Sequence, residues 1–104
     1  MGKNKLIIFK DYAEIVICNR YGMESGRVKI SVEDIALVEL YRWSYNLRSG
    51  ASSTINGRHI GINRYLTDAK DDERVYWLNG DRFDCRRSNL DIRKIKGIDR
   101  RLHN

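Results

Sequence analysis

Apolar and polar positions group into short runs along the first third of the chain. Residues 6–9, Leu-Ile-Ile-Phe, form a run of strand length. Residues 10–13 turn the chain and residues 14–19 read as the hairpin partner, while the glycine-rich stretch 21–26 separates them from a third strand at 27–30. Ser31 then stands where a helix N-cap belongs, with Glu33 and Asp34 in the first turn, where the helix dipole favours negative charge. Val32, Ile35, Leu37, Val38 and Leu40 make the predicted helix, 31–41, largely apolar and suited to packing on a sheet.

Strands are predicted next at 43–45 and 51–55. Asn56-Gly57 is the strongest turn signal in the chain, because a two-residue type I′ hairpin needs positive φ at both central positions. It joins residues 51–55 to a strand at 58–60. A short helix is predicted at 63–67, a polar loop at 69–74 and a strand at 75–78. Asn79-Gly80-Asp81 turns the chain, and residues 90–93 pair back. Ile95, Ile98 and Leu102 fall at helical spacing over 94–102, with basic residues between them and Gly97 weakening the helix. The fold class implied is α+β: an N-terminal antiparallel sheet with one helix, then a C-terminal ββ unit followed by a helix. No proline, repeat or linker divides the 104 residues, so one domain is expected.

Charge adds a direction to this picture. The net charge is +6, yet residues 1–81 carry twelve Lys/Arg against eleven Asp/Glu, and residues 82–104 carry eight against three. The last fifth therefore supplies +5 of the +6, and a basic cluster of that density suits a polyanion. The sign excludes an acidic mimic of DNA. No apolar run approaches the roughly 18 residues of a membrane span, and the four apolar residues 6–9 are too few for a signal-peptide core, so a cytoplasmic, membrane-free setting is expected. Cys18 and Cys85 form no C-x-x-C pair, which predicts two reduced thiols and neither a disulfide nor a zinc site.

Residues 75–93 read VYWLNGDRFDCRRSNLDIR. This stretch resembles the core of the HNH endonucleases of phages and mobile elements, whose pattern runs roughly V-D-H-x-N-G-D-x-x-D-N-R-x-S-N-L-R. Asn79-Gly80-Asp81, Asp84, Arg86 and Ser88-Asn89-Leu90 match in register. Upstream, Tyr41-Arg42-Trp43, Gly50-Ala51-Ser52, Asn56-Gly57 and Ile62-Asn63-Arg64-Tyr65-Leu66 resemble the family's lead-in, so the likeness covers about two thirds of the chain.

The resemblance implies a single HNH-like domain, with residues 1–66 as lead-in and 75–103 as a ββα-metal unit. In that family an Asp and a helix Asn hold a divalent metal that stabilises the phosphate, and a His deprotonates water. By position, the Asp corresponds to Tyr76, the His to Trp77 and the helix Asn to Ile98, while Asn63 replaces an upstream His. A phenol, an indole and an aliphatic chain make no hard-cation site, and tyrosine titrates near 10, so neither aromatic is a base at neutral pH. The resemblance therefore implies an inactive nuclease relative with no metal or other cofactor. Asn89 is retained as the brace of the loop.

Three functions are open on this reading. The first is nucleic-acid binding, DNA or RNA, through Arg64, Arg86, Arg87, Arg93, Lys94, Lys96, Arg100 and Arg101, with Trp77 and Tyr76 available to stack on a base. The second is a phage-type inhibitor of a host defence nuclease, of anti-restriction or anti-CRISPR kind, with aromatic and arginine anchors. The third is a weak metal-dependent nuclease with a site relocated to Asp81, Asp84 or His59. Reversing Arg86, Arg87, Lys94 and Lys96 to Glu is expected to spare the fold, since solvated changes usually cost under about 0.5 kcal/mol each.

Overall fold

The computed structural model describes residues 3–95, and the predicted helix at 94–102 lies, but for its first two residues, outside them. Strand β1 (Leu6–Ile8) pairs antiparallel with β2 (Tyr12–Cys18), and β2 pairs antiparallel with β3 (Glu24–Ser31). The first hairpin and third strand are thus where the apolar runs put them. Both β2 and β3 are longer than predicted, because polar residues on their outer faces continue the ladder. Alternation decides which face is buried: Ala13, Ile15 and Ile17 of β2 and Val28 and Ile30 of β3 are all at or near zero exposure. Burial of each isoleucine or valine side chain contributes about 1.5–3 kcal/mol.

The helix predicted over 31–41 is much shorter. A 3₁₀ turn, Val32–Asp34, leads into a single α-helical turn, α1 (Ile35–Val38). Only Ile35 and Val38 pack on the core, while Val32, Leu37 and Leu40 face solvent. Two side chains also take the carbonyls that a longer helix would need. The Trp43 indole N–H donates to Val38 O at 2.9 Å and the Tyr65 hydroxyl to Leu37 O at 2.7 Å. Asn4 then pins Trp43 in extended backbone: its Oδ1 accepts from Trp43 N at 2.6 Å, and its Nδ2 donates to Trp43 O and Val16 O at 2.8 and 3.1 Å. Ser31 has the extended backbone of an N-cap but makes no capping bond; its hydroxyl accepts instead from Arg87 N.

A second sheet holds β4 (Ser44–Asn46), β5 (Gly50–Ile55) and β6 (Arg58–Gly61), all antiparallel. Asn56 and Gly57 have φ of 52° and 78°, the positive pair that a type I′ turn requires. Gly50 begins β5 at φ +80, and a Cβ there would stand 2.5 Å from the Arg82 carbonyl oxygen, so only glycine fits. Helix α2 (Ile62–Thr67) follows and buries Ile62 and Leu66, one turn apart, in the common core.

Strands β7 (Glu73–Trp77) and β9 (Leu90–Lys94) form the predicted antiparallel pair, with Trp77 opposite Leu90 and Tyr76 opposite Asp91. Between them lies β8 (Asp84–Cys85), which joins the edge of β3 in parallel, Lys29 opposite Asp84 and Ile30 opposite Cys85. The first sheet is therefore mixed, in the order β1-β2-β3-β8, rather than purely antiparallel. The parallel addition works because it carries the Cys85 side chain into the core beside Ile30. The molecule is thus a mixed α+β fold of mostly strands with two short helices. No helix among the described residues is long and apolar enough to cross a membrane.

Cys18 is exposed and Cys85 is fully buried, and both are free thiols. Burial pushes the Cys85 thiol up to about 12, against the opposing effect of the Trp77 N–H. A thiol-specific reagent at pH 8 is therefore expected to label one cysteine in the native protein and two in denaturant. Two rapid equivalents under native conditions would contradict this placement of β8.

Candidate nucleic-acid interface

The loop between β7 and β9 is closed by a network of side chains. Asn89, 7% exposed, accepts from Asn79 N through Oδ1 at 3.0 Å. Its Nδ2 donates to Asn79 Oδ1 at 2.9 Å and to Asp84 O at 2.8 Å. Asn79 Nδ2 donates to Asp84 Oδ2 at 3.0 Å, and Asn79 Oδ1 also accepts from Asp81 N. Leu78 N donates to Asn89 O, and Phe83 N to Asp81 Oδ1. Gly80 takes φ +79 at the turn. Asp81 and Asp84 therefore satisfy backbone and side-chain donors within the loop.

Two arginines anchor this loop to buried carboxylates. Arg86 binds Asp84 through Nε and Nη2 at 2.8 and 2.7 Å, with Asp84 only 2% exposed. That fork holds the Asp84 carboxyl below its ordinary range despite burial, and Asn79 assists. Arg87 reaches Asp34, 1% exposed, through Nη2 at 2.6 Å and Nε at 3.0 and 3.1 Å, and Glu33 lies at 3.5 Å. Arg64 is used internally as well: its guanidinium donates to the carbonyls of Glu73, Lys70 and Ala69. Arg64, Arg86 and Arg87 thus hold the loops and the sheet edge together. The expectation that Arg86 and Arg87 can be reversed without harm gives way, because each would set a carboxylate against a buried one.

Tyr76 and Trp77 point to opposite sides of β7, as successive strand residues must. Trp77 packs inward against the core. Its indole N–H is buried with no nitrogen or oxygen partner among the described residues and faces the Cys85 sulfur, an acceptor too weak to count as a satisfied bond. It fills space and is not presented for stacking. Tyr76 is 40% exposed on the outer face of the hairpin, where Arg74, Asp91 and Arg93 also project. The Arg93 guanidinium lies 4.8 Å from the Tyr76 ring centroid. Arg74, Tyr76, Arg93, Lys94 and Ile95 line one open cavity.

The ion pairs of the hairpin are solvent-exposed: Arg93 with Asp91 at 2.7 Å on this face, and Lys94, at the strand end opposite Glu73, with Asp72 at 2.8 Å. Such pairs contribute about 0–1 kcal/mol, so a phosphate competes for these cations at little cost. Arg74 makes no ion pair with a described residue. It was not among the sequence candidates, although its strand register with Tyr76 follows from β7 alternation. Lys96, Ile98, Arg100 and Arg101 lie outside the described residues.

Asp81, Asp84 and His59 are not brought together. Among the described residues no group of three or more His, Cys, Asp or Glu side chains is arranged to hold a metal ion. Asp34 is the residue sequence reasoning missed: its position beside a helix start disguised a carboxylate that pairs across 53 positions. Comparison of the chain with protein-family models, curated proteins and solved structures gives no match.

Proposed function

We propose that this chain is a non-cleaving relative of the HNH endonucleases that binds nucleic acid through the outer face of its β7–β9 hairpin. The observation that carries the reading is the orientation of the pair standing where that family keeps its Asp and His. Trp77 turns into the core, and Tyr76 turns outward beneath Arg93 with Arg74 alongside. The loop network around Asn79, Asp84, Arg86 and Asn89 supports the resemblance, since these are the residues of the shared motif. An intact loop beside replaced catalytic positions is the pattern of a retained scaffold.

An exposed tyrosine flanked by arginines can stack on a base while the guanidinium groups meet phosphates. Such contacts give affinity with little sequence information. Labelled DNA and RNA oligonucleotides, single- and double-stranded, are expected to bind at low salt and to remain uncut with Mg²⁺ or Mn²⁺. Metal-dependent cleavage abolished by EDTA would overturn the inactive reading. Absence of binding to every oligonucleotide at low salt would overturn the nucleic-acid reading in favour of a protein partner such as a host nuclease.

A further inference from the structure

A cavity of about 390 Å³ opens against the second sheet, and none of its lining residues lines the cavity on the hairpin face. Its walls come from β4, β5 and β6, from the segment after α1 and from the N-terminal segment. Lys3, Arg42 and His59 supply cationic or N–H donor groups, and Ser44, Ser52 and Thr54 supply hydroxyls. No carboxylate among the described residues lines it; Glu39 lines the neighbouring cavity instead.

Strand register explains the grouping. Ser44 lies opposite Ser52, and Thr54 opposite His59, so the hydroxyl row and the imidazole share one face of the sheet. Ser52 and Ser53 are more than nine-tenths buried, an unusual location for two adjacent serines in a strand. The Ser52 hydroxyl accepts from Asn46 Nδ2 at 3.3 Å, and Thr54 Oγ1 stands 3.5 Å from His59 Nδ1. Ser53, opposite Ile60, alternates to the other face of the strand and meets the cavity only along the backbone of β5.

We propose that this cavity binds a phosphorylated ligand about the size of one nucleotide. A phosphate monoester offers several acceptor oxygens and negative charge, which matches a wall of donors, two of them permanently cationic, with no carboxylate to repel it. The volume lies in the lower part of the range for small-molecule sites, about 300–1,000 Å³. The phosphate sits with Arg42, Lys3 and His59, and the hydroxyls of Ser44, Ser52 and Thr54 meet its remaining oxygens or a sugar. The proposal stands apart from the hairpin interface, and its test reads different residues.

The test is a heteronuclear NMR titration of the full chain with inorganic phosphate, adenosine 5′-monophosphate and adenosine at constant ionic strength set by chloride. Saturable shifts are expected at the amides of Ser52, Ser53, Thr54 and His59 with the first two and not with adenosine. Arg42→Gln and Lys3→Gln, both at exposed positions, are expected to weaken binding at least tenfold together while leaving the remaining spectrum unchanged. The dinucleotide ApA, which lacks a terminal phosphate, separates the sources. Binding equal to the monophosphate assigns the cavity to phosphodiesters of a strand, and loss of binding assigns it to free monoesters. Shifts that do not saturate, shifts that chloride reproduces, or unchanged affinity in the double variant would overturn the proposal.

Discussion

Reversing Arg87 to glutamate is expected to leave little folded protein at room temperature. Asp34 is a carboxylate at 1% exposure whose charge is met by the Arg87 fork. Taking away one partner of a buried pair costs about 3–5 kcal/mol, because the remaining charge is neither solvated nor paired. Arg87 is 44% exposed, so water softens the loss, and Arg87→Met should cost about 3 kcal/mol, near the lower limit. Arg87→Glu adds repulsion to that loss. A domain of this size has about 5–15 kcal/mol in total, and a 3 kcal/mol loss lowers Tm by more than about 10 °C. Thermal melts followed by circular dichroism check this. Asp34→Asn combined with Arg87→Met should recover part of the loss, since the stranded charge is then gone. Arg93→Glu and Lys94→Glu, on exposed pairs, should melt within about 0.5 kcal/mol of the parent. If Arg87→Glu melts with them, the Asp34–Arg87 contact does not exist in solution.

Replacing Asn89 by alanine is the second large effect. The side chain makes three hydrogen bonds, to Asn79 N, Asn79 Oδ1 and Asp84 O, at 3.0, 2.9 and 2.8 Å. Alanine leaves a backbone donor and a buried carbonyl without partners, each worth about 1–3 kcal/mol when stranded. The Asp84 carbonyl cannot recruit another donor easily, because the nearby Asn79 amide and Arg86 guanidinium already donate to the Asp84 carboxylate. A loss of about 3 kcal/mol is expected. The β7–β9 hairpin should loosen before the first sheet, so amide exchange at Val75 and Ile92 should accelerate more than at Ile15 and Val28. Equal acceleration at all four would show that the network does not act locally. A melt within a degree of the parent would show that Asn89 is not a brace.

Much of the chain was legible because its signals are local. Asn56-Gly57 dictates a turn through its own backbone preferences, and the short apolar runs within residues 6–30, separated by turn residues, mark the first three strands. The pairing of β7 with β9 was legible from the apolar run before Asn79-Gly80-Asp81, the turn itself and the return at residues 90–93. What escaped is long-range. Nothing local in Asp84-Cys85 says strand, since two residues in a polar loop carry no periodicity; they become β8 only by meeting β3. The helix at 31–41 was overextended because Trp43 and Tyr65, which claim its carbonyls, act from outside the window that periodicity reads. Arg86 and Arg87 look like solvated charge until their carboxylates are in place.

The candidate interface followed the same division. Tyr76 and Trp77 were singled out together, but β7 separates them, one to each face. Arg74 was overlooked because it sits among the acids of a polar stretch, and only the pairing of Arg74 with Arg93 across the ladder brings it beside Tyr76. The basic cluster of the sequence thus divides. Arg64, Arg86 and Arg87 hold the fold, while Arg74, Arg93 and Lys94 stand exposed on the hairpin.

That division is tested by the salt dependence of oligonucleotide binding, measured by fluorescence anisotropy over a series of salt concentrations. The parent is expected to show log K falling linearly with log salt. The triple change Arg74→Gln, Arg93→Gln, Lys94→Gln should reduce the slope by about two to three, since each cation contributes roughly one released counterion, and should leave the melt almost unchanged. An unaltered slope and affinity in a folded triple variant would contradict the placement of nucleic acid on the β7–β9 face.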